Sequence, residues 1–342
     1  MWSNPQPSFP NGWIHYRCIM TQSHSRTAEI RQAALDCGFS SVGVAAADMM
    51  TGDVERYLQW IELGYHGTMS YLERNSDKRE DPHLILPGVQ SVVVVTQNYY
   101  TPYSHENYTG TPDTHGKISR YAWGDDYHDV IPPKLRLVAE KIHELVPGSE
   151  CKIYTDTGPV MEKAWAVRAG IGWQGKHSNI ISKAKGSWFF IGVLFTTAYL
   201  EPDTPIGDYC GTCTACLDAC PTQAIVEPYV VDATKCLSYW TIETKPDSEI
   251  PPAIASSLDG WIFGCDTCQD VCPWNRFRTP TTEQRFEPRR GETKLEFEAI
   301  SQYTQEQFSE RFRKSPVKRT KLAGLQRNVR AAKLSKSIQN KE

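Results

Sequence analysis

Between Cys210 and Cys272 the chain gathers eight of its eleven cysteines. Cys210, Cys213, Cys216, Cys220 and Pro221 spell C-x2-C-x2-C-x3-C-P, and Cys236 is followed by Cys265, Cys268, Cys272 and Pro273. Three thiolates in such close register bind three corners of one 4Fe-4S cube, while the fourth, turned away, serves a second cube. The spacing therefore assigns Cys210, Cys213, Cys216 and Cys272 to one cluster and Cys220, Cys236, Cys265 and Cys268 to the other. That exchange of one ligand from each group brings the cubes within electron-transfer distance. The competing reading is a pair of structural zinc sites, but tetrahedral zinc takes two C-x2-C pairs and has no use for three cysteines in register followed by C-P. Of the cysteines left over, Cys18, Cys37 and Cys151, the last two lie on a helical stripe and at the start of a strand, where they read as core.

The elements that must hold these ligands fall into four stretches. Residues 1–26 carry Pro, Asn and Ser without periodicity and read as a flexible leader, with Met20 as an alternative start. Residues 27–205 read as an α/β domain. Helical spacing predicts helices over Thr27–Cys37, Val54–Leu63 (burying Val54, Leu58 and Ile61) and Pro133–Leu145 (with Leu135, Val138, Ile142 and Leu145 on one stripe). A strand is expected at Ser41–Ala45, and the four valines of Ser91–Thr96 suit a strand buried on both faces of a mixed sheet. Cys151–Thr155 reads as a strand ending in Asp156-Thr157-Gly158-Pro159, with Pro159 in the first turn of a helix through Ala169, which sets Asp156 at a strand-to-helix corner. Asn179–Ser182 and Ser187–Thr196 are expected to form a hairpin turning at Lys185-Gly186. Residues 206–280 form a smaller, ferredoxin-like two-cluster domain, and 281–342 a polar, helical, basic segment.

With 342 residues the chain has length for about two domains and can bury a core without disulfides. It lacks an apolar run long enough to span a membrane and a secretory start, which predicts a cytoplasmic protein with no membrane partner, read here as a monomer. The net charge of −3 is uneven: from Arg311 onward eleven Lys or Arg face one acid, Glu342. A basic tail of this kind suits a polyanion, most naturally nucleic acid, or is a solvated segment.

In the order and co-occurrence of its motifs the chain resembles the epoxyqueuosine reductases, cobalamin-dependent enzymes of queuosine biosynthesis in tRNA. The matching stretches are Arg79-Glu80-Asp81-Pro82, Ile118 through His128 (ISRYAWGDDYH), Asp156-Thr157-Gly158-Pro159 with Glu162, Ala169 through Lys176 (AGIGWQGK), both cysteine groups, and Cys236 through Glu243 (CLSYWTIE). The likeness spans about residues 27–330. His177 stands where the family commonly carries Asn, and a C-terminal helical-repeat region common in the family would begin near Gly324–Asn328, close to the end of this sequence.

The resemblance implies a mixed-sheet cobalamin-binding domain and reduction of epoxyqueuosine to queuosine in tRNA. Cob(I)alamin would be fed by two 4Fe-4S clusters from an external low-potential electron donor. Asp156 is the implied proton donor. A carboxyl that gives up a proton near pH 7 needs burial and the exclusion of cations to keep it. Arg79, Ser119, Asp156, Asn179, Ser238, Cys265 and Asp266 are the implied contacts to the corrin, and Trp240 and Tyr239 either support an extruded base or pack the cluster domain. Two other readings stand beside this one: a corrinoid reductive dehalogenase, and a non-catalytic two-cluster electron carrier.

Overall fold

The structure, a computed structural model, describes residues 12–105, 114–289, 291–293 and 295–339, with side chains described between residues 24 and 334. Its strands are β1 (Ser41–Ala46), β2 (Ser91–Asn98), β3 (His115–Ile118), β4 (Cys151–Tyr154), β5 (Trp173–Gln174), β6 (Ile180–Ile181), β7 (Phe189–Thr196), β8 (Ile225–Glu227), β9 (Val230–Val231), β10 (Trp261–Phe263) and β11 (Leu295–Glu296). Helices α1 (Gly12–Asp36), α2 (Thr51–Glu62), α3 (Ser76–Glu80), α4 (Tyr127–Leu145) and α5 (Glu162–Arg168) belong to the first half of the chain. Helices α6 (Ala215–Ala219), α7 (Pro252–Ala255), α8 (Thr267–Asp270), α9 (Phe297–Gln302), α10 (Gln305–Arg311) and α11 (Lys321–Gln339) follow.

The central sheet runs in the order β1-β2-β7-β4, and every neighbouring pair is antiparallel. The valines of β2 alternate: Val93 and Val95 pack with α1 and α4, Val92 and Val94 with α2 and α5, and all four are fully buried. An uninterrupted valine run is what a strand covered on both faces requires. Helix α4 starts at the Asp126 cap, whose side chain accepts from His128 N–H, six residues before the predicted Pro133. Pro132 and Pro133 therefore sit inside it, and the Asp129 carbonyl that Pro133 cannot serve is taken by Arg285 at 3.2 Å.

Other expectations need correcting. Helix α1 begins at Gly12, within the expected leader, whose residues 1–11 lie outside those described. Helix α2 buries only Val54 fully, and Leu58 faces solvent. The expected helix from Pro159 begins three residues later at Glu162, leaving Asp156 on a loop. The Lys185-Gly186 turn forms through Ser182 and Gly186, but β6 pairs with β5 and β7 enters the central sheet, so no hairpin joins them.

The second half is knitted to the first. Strand β3 pairs in parallel with β10 and antiparallel with β11. Above this mixed sheet one core joins Ile118 and Trp123 to Phe263, Phe297, Phe312, Leu325 and Val329. Helix α11 is clamped by buried Arg327 and Asn328: Arg327 donates to the carbonyls of Trp240, Lys245 and Ser248, and Asn328 to those of Thr241 and Ile262. Buried carbonyls left unmet would each be costly, which explains polar side chains in a core position.

The site-bearing helix α5 is held by Trp165, edge-on to Phe195 at 5.7 Å, and by Gly43 of β1. A Cβ at Gly43 would lie 2.0 Å from the carbonyl oxygen of Ala169, at the end of α5. Gly43→Ala is predicted to cost about 1–3 kcal/mol through displacement of α5, read as a lowered melting temperature; an unchanged melting temperature would contradict this packing.

Candidate active site and metal centres

The cysteines fall into two groups in space. Crowding by like charge at Cys216 comes from Cys210, Cys272 and Cys213, and at Cys268 from Cys265, Cys236 and Cys220. The exchange of Cys220 and Cys272 has a local cause. Each precedes a proline, which disfavours helical backbone, and both are extended, with ψ of 111° and 120°. The chain therefore leaves α6 at Cys220 and α8 at Cys272 heading toward the other group. The first group lines a cavity of about 210 Å³ together with Lys176, His177 and Trp274. Lys176 donates to the carbonyls of Gly211 and Cys213, and Trp173 donates to Cys210 Sγ at 3.4 Å. In the second group Cys220 Sγ accepts from Ala224 N–H at 3.2 Å, and Cys236 from the N–H groups of Ser238 and Tyr239 at the start of a π-helical turn.

Burial, then neighbouring thiols, push Cys216 up to about 11, and burial pushes Cys265 up to about 12. Four thiolates thus need a positive partner before they can share either chamber, and iron supplies it. Among the described residues no three His, Cys, Asp or Glu side chains converge closely enough to hold a single metal ion. Cys213 is exposed, whereas Cys236, Cys265 and Cys268 are partly accessible at their surface but closely surrounded by protein, enough for burial to raise all three thiols.

Asp156 follows buried Thr155 at the end of β4 in a left-handed conformation, φ 59°, a strained state for a residue with a Cβ that points to a functional constraint. Its N–H donates to Glu162 Oε1 at 2.5 Å, Tyr127 Oη–H donates to its Oδ2 at 2.6 Å, and His128 Nε2 stands 3.8 Å from Oδ2. Tyr127 is fixed by stacking between His128 and Phe190, with centroids 4.2 and 4.3 Å away. Burial, reinforced by the charge of Asp156, raises Glu162 to about 8, so it keeps its proton at neutral pH. At His128 burial opposes the charge, but the hydrogen bond its ring donates to Asp126 and the charges of Asp126 and Asp156 outweigh it and raise the pKa.

The Asp156 side chain is 52% exposed. Lys163 is also solvent-exposed, yet protein surrounds it closely enough for burial to lower its pKa, the mark of a side chain on the wall of an open cleft. Lys163 feels the charges of both Asp156 and Cys268, which sets it near the second cysteine group as well as the Asp156 corner. The expected exclusion of cations from Asp156 is not met, since His128 and Lys163 both face it. His128 Nε2 is buried with no hydrogen-bond partner among the described residues, so the cleft keeps a polar atom for a bound group to satisfy.

The implied corrin contacts are arranged unevenly. Asn179 accepts from Lys163 at 3.2 Å on the cleft wall. Ser238 is half-buried at the start of the π-helical turn, and Cys265 belongs to the second group. Ser119 and Asp266 are buried and spent on each other at 2.5 Å, with Arg120 N–H and His105 completing the Asp266 carboxylate. Arg79 is buried over Tyr57 and donates to the carbonyls of Arg74 and Asn75. Tyr239 and Trp240 pack the cluster domain: Tyr239 Oη bonds to Thr68 and Trp240 Nε1 to the Thr234 carbonyl. Glu162, Tyr127 and His128 had no role assigned from sequence. Their signal was present in two carboxylates six residues apart and in Tyr-His directly after Asp125-Asp126.

The basic segment is partly consumed by the fold. Arg311 pairs with Glu292, Arg319 with Glu243, Lys333 with Glu298, and Arg327 is buried. Arg313, Lys314 and Lys318 are exposed, and the Lys314 carbonyl accepts from Asp126 N–H beside the Tyr127–Asp156 corner.

The spatial grouping predicts an iron count that sequence order would not. Cys220→Ala and Cys236→Ala, combined, are expected to lose no more iron than either alone, about four atoms. Cys220→Ala with Cys272→Ala is expected to strip both clusters. Iron and sulfide analysis of the reconstituted proteins checks this; equal losses from the two double variants would contradict the exchange.

Comparison with known proteins gives the family. Residues 79–157 match the family model described as "Epoxyqueuosine reductase QueG, DUF1730", and residues 209–275 match the 4Fe-4S double cluster binding domain. An epoxyqueuosine reductase from Cellulophaga algicola is 45% identical over 300 residues, covering 88% of this chain and 95% of the relative. One from Synechocystis sp. is 46% identical over 293 residues, covering 85% and 99%. A crystal structure of epoxyqueuosine reductase with an epoxyqueuosine-modified tRNA stem loop superposes with a TM-score of 0.84 at 31% identity, covering 90% of this chain and 80% of that one. The Bacillus subtilis enzyme, captured with its catalytic aspartate loop swung out of the active site, gives 0.83 at 30% identity, covering 92% and 83%. With relatives this similar over most of the chain, and with family models matching the stretch that holds Asp156 and the one that holds the paired cysteine groups, the chain belongs to the epoxyqueuosine reductase family.

Proposed function

We propose that the protein reduces the epoxide of epoxyqueuosine in tRNA to the alkene of queuosine, consuming two electrons and two protons and releasing the oxygen as water. The observation that carries this reading is the meeting, in one cleft, of a strained, hydrogen-bonded carboxyl group and the inner cysteine group, with Lys163 facing both.

Electrons from an external low-potential donor enter at the group around Cys210, whose Cys213 is exposed, and pass to the group around Cys268, none of whose cysteines is exposed. Cobalamin, if bound in the cleft, would supply the low-potential reducing chemistry that the epoxide requires. Asn179, Ser238 and the backbone around Cys265 are the groups placed to hold it, with Arg79 anchoring α3 and the Ser119–Asp266 pair fixing the Cys265 turn. Residues 27–205 then form the cofactor-binding catalytic unit, 206–280 the cluster unit, and 281–342 a segment packed on both.

Asp156 gives its proton to the departing epoxide oxygen. Tyr127 donates to Oδ2 and so leaves Oδ1 to carry that proton. The burial that the acid needs comes from the cofactor and nucleotide filling the cleft over it. Glu162 holds a proton beside it at neutral pH and restores the acid form between turnovers, the two carboxyls titrating as a pair. Arg313, Lys314 and Lys318 meet RNA phosphates at the edge of the cleft, fixing position rather than sequence. Tyr71, exposed beside the Glu243–Arg319 pair, offers an extruded base the stacking face that Tyr239 and Trp240 do not.

Asp156→Asn is predicted to keep iron and corrin content while lowering turnover by about 10²–10⁴-fold; unchanged turnover would remove Asp156 from the acid role. Because the proton on Glu162 is lost as pH rises through about 8, turnover should fall on that limb. Glu162→Gln should abolish the limb, and a persisting limb would place its cause elsewhere. Lys318→Ala should flatten the dependence of tRNA affinity on log salt by about 0.7–0.9 for the contact removed, leaving turnover at saturating tRNA unchanged; an unaltered slope would exclude this face.

A further inference from the structure

We infer that His177 donates a hydrogen bond from Nε2 to the cluster held by Cys210, Cys213, Cys216 and Cys272 and thereby raises the reduction potential of that cluster alone. The inference rests on the ligand set proposed above. His177 is 4% exposed and lines the cavity of about 210 Å³ formed by those four cysteines. Its Nδ1 accepts the N–H of Asn179 at 3.2 Å, so in the neutral ring the proton sits on Nε2. Nε2 is buried and has no hydrogen-bond partner among the described residues.

A buried N–H without a partner is costly, and such groups in folded proteins are met by protein, an ordered water or a bound group. The cavity lining holds cations, four thiols and one phenol, Tyr209, but no carboxylate, so sulfur is the predominant acceptor there. Trp173 Nε1 already donates to Cys210 Sγ at 3.4 Å, four residues earlier on the same segment. Hydrogen bonds to cluster sulfurs stabilise the added electron and make reduction easier. His177 thereby favours acceptance of an electron at the exposed entry cluster.

The test uses the reconstituted holoprotein in an anaerobic redox titration followed by electron paramagnetic resonance. His177→Phe keeps a ring and removes the N–H, while His177→Gln returns a donor. With both clusters assembled, His177→Phe should move one midpoint negative by an about threefold to tenfold change in the oxidised-to-reduced ratio, at most about 59 mV for one electron. The other midpoint should stay, and His177→Gln should recover part of the shift. Two unmoved midpoints, or two that move together, would overturn the inference. Wild-type protein labelled with ¹⁵N-histidine gives an answer even where a variant loses iron: pulsed resonance should show a nitrogen coupling on one reduced cluster, and its absence from both would overturn the inference. Wild-type protein that fills only one cysteine group would instead overturn the ligand set.

Discussion

Proline after cysteine governs the wiring of the small domain. Because Cys220 and Cys272 precede prolines, each leaves its helix in extended backbone and delivers its thiol to the other group. Neither group is then complete by itself, and the two chambers must lie side by side. The proposed path for electrons follows that adjacency, from the exposed neighbourhood of Cys213 to Cys268 and on toward Lys163.

At the other wall of the cleft a proton has to be available where the electrons arrive. The central sheet fixes this through β4, which ends two residues before the left-handed turn at Asp156, and through α5, whose first residue is Glu162. Close contact of Gly43 with Ala169 seats the far end of that helix. Strain at Asp156 is held by two hydrogen bonds of opposite sense, its own N–H donating to Glu162 and its carboxyl accepting from Tyr127. A loop restrained by so few contacts is able to move, as the swung-out loop of the Bacillus subtilis enzyme illustrates for a relative.

Much of this was legible in the sequence because its causes are local. Cysteine spacing and C-P dipeptides carried the grouping, and four valines carried a strand covered on both faces. Where causes were long-range, the sequence misled. Leu58 fits a helical stripe but meets no facing layer. Ile180–Ile181 lies close enough to β7 for a hairpin, yet pairs with β5, since β7 is claimed on both edges by β2 and β4. Ser119 and Asp266, far apart in sequence, consume each other's polarity. The basic tail read as one polyelectrolyte, but Arg327 is a carbonyl clamp and Arg311 and Arg319 are paired. Glu162 was visible only as part of a motif, since its proton depends on burial and on the charge of Asp156.

The central claim joins two clusters, a corrin and the Asp156 corner in one reduction of a tRNA base. It is tested most directly by anaerobic reconstitution, quantitation of iron, sulfide and corrin, and mass spectrometry of an epoxyqueuosine-containing tRNA stem loop incubated with the protein and a strong reductant. The account predicts about eight irons per chain, retained corrin and conversion to queuosine. Full iron without retained corrin and without queuosine would leave a two-cluster electron carrier and contradict it.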